Sequence, residues 1–138
     1  MTKNKRASLI RRRLCEIPDE LEKQIQKLLK QKSLIQGYVY HSKRRCGKPG
    51  CRCNRGELHD ACVIATTVAG KRTTRSLPEE MREEVSELAE NYRRFREAKR
   101  EFRRHTEEAL DLMAELEELV KVRVFEQEAD KGVEKRKK

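Results

Sequence analysis

The 138-residue chain has no tryptophan and six aromatic residues in all, three Tyr and three Phe, and only 36% of it is apolar against 42% charged. A chain this length makes one domain, and one so poor in large apolar side chains cannot fill a core at ordinary density. Metals, disulfides or oligomers supply the difference in such proteins. Long hydrophobic runs are absent as well. No window approaches the roughly 18 apolar residues of a membrane span, and the start, MTKNKRASLIRRRL, has no secretory h-region, so the expectation is a cytoplasmic protein without membrane contact. Acids are scarce through the middle: Glu57 and Asp60 are the only two between Glu22 and Glu79. No Ser-His-Asp or paired-carboxylate spacing occurs there, and an enzyme is not expected.

What the chain does have is positive charge, in patches. The formal net charge is +10. Residues 1–13 carry six basic side chains and no acid, residues 43–55 carry six more, and residues 71–77 add three. Residues 78–130 hold 17 acids against 10 bases, and the tail 131–138 returns to +4. Basic clusters of this kind attract polyanions, whose phosphates release counterions on contact.

Residues 1–16 show no apolar period and read as a flexible basic arm. Ile17-Pro18-Asp19-Glu20 has the features of a helix start, with proline in the first turn and acids at the positive end of the dipole. Ile17, Leu21, Ile25, Leu28 and Leu29 then recur at helical spacing, predicting a helix over about 18–32. LIQGYVYHS alternates from Leu34, with Tyr38 and Tyr40 on one face and Val39 on the other, and ACVIATTV and KRTTRSL are β-branched runs joined at Ala69-Gly70. Three short antiparallel strands follow, the last two a hairpin. Pro78-Glu79-Glu80 opens a second, longer helix. With Val85 as an a position, Met81, Val85, Leu88, Tyr92, Phe95, Lys99, Phe102, Thr106, Ala109, Met113, Leu116 and Val120 form an a/d series, and Lys99 and Thr106 are candidates to set its register. The expected fold is α+β and mostly helical: basic arm 1–16, helix and sheet module 17–77, coiled-coil helix 78–130, basic tail 131–138. The long helix needs a partner over residues 81–120, which can be the first helix, a second copy or another protein. Residues 92–104 hold seven bases and 105–119 six acids, so an antiparallel pair of copies would set unlike charges together.

Four of the five cysteines fall within KRRCGKPGCRCNRGELHDAC, residues 43–62. Cytosolic thiols stay reduced, which favours a ligand set over a disulfide framework. Cys46, Cys51, Cys53 and His59 supply the Cys3His set of a closed tetrahedral zinc site, and Gly47-Lys48-Pro49-Gly50 is a turn that brings sulfurs together. Cys62 is the alternative fourth ligand. Arg44, Arg45, Lys48, Arg52 and Arg55 favour the thiolate form. Cys15 stands apart as a partly buried thiol, and His41 and His105 read as structural or solvated.

The run RRCGKPGCRC followed by RGELH resembles an uncharacterised family of short bacterial proteins. Its motif runs approximately CGKPGCRC-x-x-G-x-LHGPY, then a hairpin with GK at its turn, then a proline-started helix. The match spans about residues 34–105, aligning Cys46 through Cys53, then Gly56, Leu58, His59, Gly70, Lys71 and Pro78. The resemblance implies a zinc-binding module encoded near mobile elements, with no assigned activity. Asp60-Ala61-Cys62 here replaces the Gly-Pro-aromatic stretch, which favours His59 as the ligand and removes rings on which bases could stack.

The function expected is nucleic-acid binding, DNA favoured over RNA, by an accessory or regulatory protein that dimerises through its long helix. Zinc would hold Lys43, Arg44, Arg45, Lys48, Arg52 and Arg55 in a compact loop, with the hairpin bases Lys71, Arg72 and Arg75 beside it. The alternative is a zinc-stabilised adaptor that docks on another protein through the coiled coil.

Overall fold

The computed structural model describes residues 1–122 and 124. Its order is α1 (Lys3–Lys30), β1 (Tyr38–Arg44), a 3-10 turn (Arg52–Arg55), β2 (His59–Val68), β3 (Lys71–Ser76) and α2 (Glu79–Val120). The fold is α+β and mostly helical, with one antiparallel sheet ordered β1-β2-β3 and the cysteine segment in the β1–β2 loop. No described helix is long and apolar enough to cross a membrane. The chain divides into two compact units, one of Met1–Leu21 with the chain from Arg104 on, the other of Glu22–Arg103.

The first unit overturns the expectation of a flexible arm, because residues 3–16 are helical and Pro18 lies inside α1. An interior proline has no N–H for the carbonyl four residues back and disfavours helix by about 3 kcal/mol, so other interactions must hold this segment. They are visible. Ala7, Ile10 and Ile17 are buried, with Leu14 half-buried between them, a spacing of three, four and three. Beside this stripe Arg6 donates to both carboxylate oxygens of Glu115 at 2.6 and 2.8 Å. Arg13 forks onto Glu108 at 2.7 and 2.9 Å and onto Glu20 at 3.0 and 2.9 Å. One heptad forward on α1, from Arg6 to Arg13, is one heptad back on α2, from Glu115 to Glu108, which is antiparallel pairing. His105, buried, places Nδ1 2.9 Å from Glu20 Oε2. The acidic half of the long helix thus meets the chain's own basic N-terminus.

The expected stripes shift in detail. On α1 the buried face passes through Gln24, leaving Ile25 41% and Leu29 70% exposed. Cys15 is exposed rather than partly buried. On α2 the heptad series holds at Val85 but then moves one residue back, burying Ala98 and His105 and leaving Lys99 and Met113 exposed. At about 100° per residue, Ala98 lies roughly 140° round the helix from Val85, so a different face of α2 is buried there. Lys99 thus lies outside the buried seam of the single chain. The helix ends at Val120, short of the expected 130; residues 125–130 and the tail 131–138 lie outside the described residues.

In the second unit Cys62, Leu77 and Val85 form the buried centre, with Ile35, Val39 and Ile64 packed on it. Val39 pairs with Ile64 and His41 with Cys62, so alternation along β1 and β2 delivers these apolar side chains to one sheet face. Ile35 N donates to Leu88 O at 3.1 Å and Asn91 Nδ2 to Ser33 O at 3.3 Å, tying the approach to β1 onto α2. β1 begins at Tyr38, later than the alternation from Leu34 suggests. The hairpin turns at Ala69-Gly70 as expected, with Val68 paired to Lys71. Gly37 is required by close approach: a Cβ there would lie 2.7 Å from Ala65 O and 2.8 Å from Thr66 Cγ2.

Gly37→Ala is expected to destabilise the second unit by about 1–3 kcal/mol, since the nearest obstacle is backbone; an unchanged melting temperature would contradict the packing at β2. Acid gives a separate test for the first unit. Hydrogen bonds and charge from Arg13 hold Glu20 and Glu108 below the usual carboxylate range, and Arg6 does the same for Glu115. Folded pKa values below the unfolded ones mean that this stabilisation is complete above about pH 4.5 and is lost as pH falls through the lowered values. Thermal melts by circular dichroism should therefore weaken below about pH 4.5, and Glu108→Gln should reduce that dependence.

Candidate metal centre

β1 and β2 pair from Tyr38↔Ala65 to Arg44↔His59, and this register sets the base of a loop whose two ends are Arg44 and His59. Within the loop the chain reverses twice with positive φ, at Gly47 (77°) and Gly50 (86°), where an L side chain would be strained although nothing occupies the space. Cys51 N donates to Lys48 O at 3.4 Å, Asn54 N to Cys51 O at 3.0 Å, and Asn54 Nδ2 to Lys48 O at 3.0 Å. These bonds close the turn and start the 3-10 segment that carries Cys53.

The result brings Cys46, Cys51, Cys53 and His59 together, with all four ligand atoms within 4.8 Å of one another. Cys46 Sγ lies 3.5 Å from Cys53 Sγ, and Cys51 Sγ lies 3.0 Å from His59 Nε2. A tetrahedral ion with metal–sulfur bonds of about 2.3 Å holds its sulfurs about 3.8 Å apart, so this donor set fits a single ion. The protonation preferences agree. The backbone amide of Cys53, then the His59 imidazole and the neighbouring thiols, bring the Cys51 thiol down to about 6. At Cys46 the Lys48 amide favours the thiolate, but the sulfurs of Cys51 and Cys53 and desolvation outweigh it and the thiol is pushed up. Crowded sulfurs resist losing a second proton, and a divalent cation among them removes that resistance. Cys53 is fully buried, whereas Cys46 and His59 are exposed, so the cluster sits at the surface.

The alternative ligand Cys62 is elsewhere. Its side chain is 3% exposed in the sheet core, and its carbonyl accepts from Leu77 N at 2.8 Å. His41 is exposed on β1, and His105 belongs to the first unit.

The nine basic residues expected to meet nucleic acid are all exposed. Lys43, Arg44, Arg45, Lys48, Arg52 and Arg55 surround the cluster, and among the described residues none of them is ion-paired. The hairpin bases are not beside them. β2 runs from His59 at the cluster to Val68 at the turn, nine steps or about 30 Å, and Lys71 pairs with Val68 at the far end. Arg75 pairs with Ile64, which places it on the opposite sheet face from Arg72. The Arg72 guanidinium lies 5.5 Å from the centroid of Tyr38 and contacts its hydroxyl. It belongs to a groove that also contains Arg93, Arg96 and Arg100 of α2. Those three were hidden in the sequence as ordinary surface charge of a heptad helix; the signal available was their spacing of three and four, which puts them on one face.

A family model described as a domain of unknown function, DUF6788, matches residues 11–87, a span that includes all four cluster residues. No curated protein and no solved structure matches the chain.

Removing a bound divalent ion with a chelator at neutral pH should lower the melting temperature by roughly 10 °C, the effect of a ligand present at several hundred times its dissociation constant. Cys53→Ser should abolish stoichiometric metal in elemental analysis, while Cys62→Ala should retain it despite its burial. Metal retained by the first variant or lost from the second would contradict the ligand set.

Proposed function

The chain belongs to the DUF6788 family, and for this member we propose a zinc-stabilised, non-enzymatic nucleic-acid-binding module, with duplex DNA as the favoured partner. Three thiolates and one imidazole form the donor set preferred by structural zinc, and four protein ligands leave no coordination position for water. Zinc bound there would supply charge neutralisation and a cross-link between the two ends of the β1–β2 loop. The residues of the chain do the recognition.

The observation that carries the reading is the contrast between two basic clusters. In the N-terminal cluster two of the six bases, Arg6 and Arg13, are taken up by Glu115, Glu108 and Glu20. In the cluster around the cysteines, six bases remain exposed without an ion pair among the described residues. On a loop that the ion would fix, their backbone has little freedom left to lose when phosphates replace their counterions. Bases on an exposed loop meet phosphate oxygens first, so affinity should follow backbone charge and groove shape more than sequence. An accessory role for a mobile element and a cytoplasmic location fit this chemistry.

A second reading, an adaptor or dimer built on the long helix, is favoured by one observation. Leu110, Met113 and Val120 of α2 are 61%, 53% and 50% exposed. A second copy or another protein over residues 81–120 would cover such positions.

Titration of the metal-loaded chain into labelled duplex should give a log K that falls linearly with log salt. Replacing Arg44, Arg45, Arg52 and Arg55 with Gln should reduce the slope by about 3.6, the value for four lost phosphate contacts, with metal content unchanged. Absence of duplex binding at low salt would sink the proposal. A concentration-dependent mass lost on Leu110→Glu with Met113→Glu would instead support the second reading.

A further inference from the structure

A groove of about 780 Å³ opens in the second unit between the start of β1 and α2. Four arginines line it against two glutamates, Glu90 and Glu97. Arg93 takes up both glutamates, with Nε 3.0 Å from Glu90 Oε1 and Nη1 3.4 Å from Glu97 Oε2. Among the described residues, Arg72, Arg96 and Arg100 have no carboxylate at ion-pairing distance. Two of these guanidinium groups lie over rings: Arg72 is 5.5 Å from the Tyr38 centroid, and Arg96 is 5.7 Å from that of Tyr92. Tyr38 is 52% exposed, with the Tyr40 ring 5.6 Å away.

Each half of this arrangement selects a different chemistry. Unpaired guanidinium groups on a fixed helix face bind phosphate oxygens in forked geometry. Exposed tyrosine faces backed by arginine are platforms for planar, electron-rich rings, which stack there without regard to base identity. A bare phosphate has no use for the rings, and an apolar ligand leaves the arginines unsatisfied. The volume is that of a site for one small organic ligand, about 300–1,000 Å³.

We propose that this groove binds a nucleotide unit, with phosphate on Arg96 and Arg100 and base on the Tyr38–Arg72 platform. The unit can arrive as a free nucleotide or as an unpaired residue of a nucleic-acid strand, two sources with the same recognised chemistry. β1 links the groove to the metal cluster: Tyr38 stands in the groove, and Arg44, six residues on, is at the cluster end, about 20 Å away. A strand leaving the groove along β1 would reach the cluster's bases. The inference stands on the groove alone and does not require the cluster to touch nucleic acid.

The test uses the full, metal-loaded chain with three probes: adenosine monophosphate, fluorescein-labelled octathymidylate and inorganic pyrophosphate. Arg96→Gln with Arg100→Gln, and separately Tyr38→Leu, should each weaken binding of the nucleotide or the oligonucleotide about tenfold or more. The arginine pair should also lower the salt slope for the oligonucleotide by about 1.4, and Tyr38→Leu should leave the slope unchanged. Unchanged melting temperatures and metal content show that the variants are folded. Oligonucleotide binding far tighter than the monophosphate identifies a strand as the source; comparable binding identifies a free nucleotide. The proposal is overturned if neither nucleotide probe binds, if both variants bind like the parent, or if pyrophosphate competes as well as the monophosphate. Loss of oligonucleotide binding in the Arg44, Arg45, Arg52 and Arg55 variant with none in the groove variants also overturns it, while leaving the cluster reading intact; the converse result removes the cluster reading and keeps the groove.

Discussion

Three sulfurs and an imidazole held within 4.8 Å of one another cannot all take their most basic forms without a cation among them. That constraint organises the second unit. The loop that carries the cluster has one buried residue between Arg45 and Leu58, Cys53, and its backbone reversals depend on glycine at positive φ. A loop with so little apolar area has no hydrophobic reason to hold one shape. Ligation would supply that reason, and the sheet beneath it, anchored on Cys62, Leu77 and Val85, would supply a fixed foundation.

Charge is the second organising quantity, and it is used in opposite ways in the two units. In the first, arginines and glutamates meet at heptad intervals and stabilise helix pairing against an interior proline. In the second, bases around the cluster have no acidic partner among the described residues, and α2 carries Arg96 and Arg100 in the same condition. Composition alone gives both populations equal weight. Only the tertiary partner separates a structural arginine from one available to a ligand.

The residues that encode short-range rules were legible. The hairpin at Ala69-Gly70, the helix started by Pro78 and the cysteine spacing all depend on local backbone chemistry, and the structure has them where the sequence puts them. The segment before Pro18 was not read as helix, although Ala7, Ile10, Leu14 and Ile17 carry the right spacing. Six bases without an acid look solvated until the acids that two of them, Arg6 and Arg13, meet about a hundred residues further on are brought alongside. The choice of His59 over Cys62 was legible for a related reason: alternation into a buried strand commits Cys62 to the core. The groove arginines had no comparable signal, because a heptad helix exposes charge wherever it is not packed and nothing local distinguishes the face opposite β1.

The cysteines also differ in how a chemical reagent would meet them. Cys62 is enclosed in the sheet and three others are committed to the cluster, but Cys15 stands exposed on α1. With an ion bound, a thiol-selective dye would therefore find a single open sulfur, remote in sequence from the basic loop. Stripping a bound ion would uncover more. The stoichiometry of alkylation becomes a direct gauge of cluster occupancy, and the same lone position accepts a reporter group without disturbing any ligand.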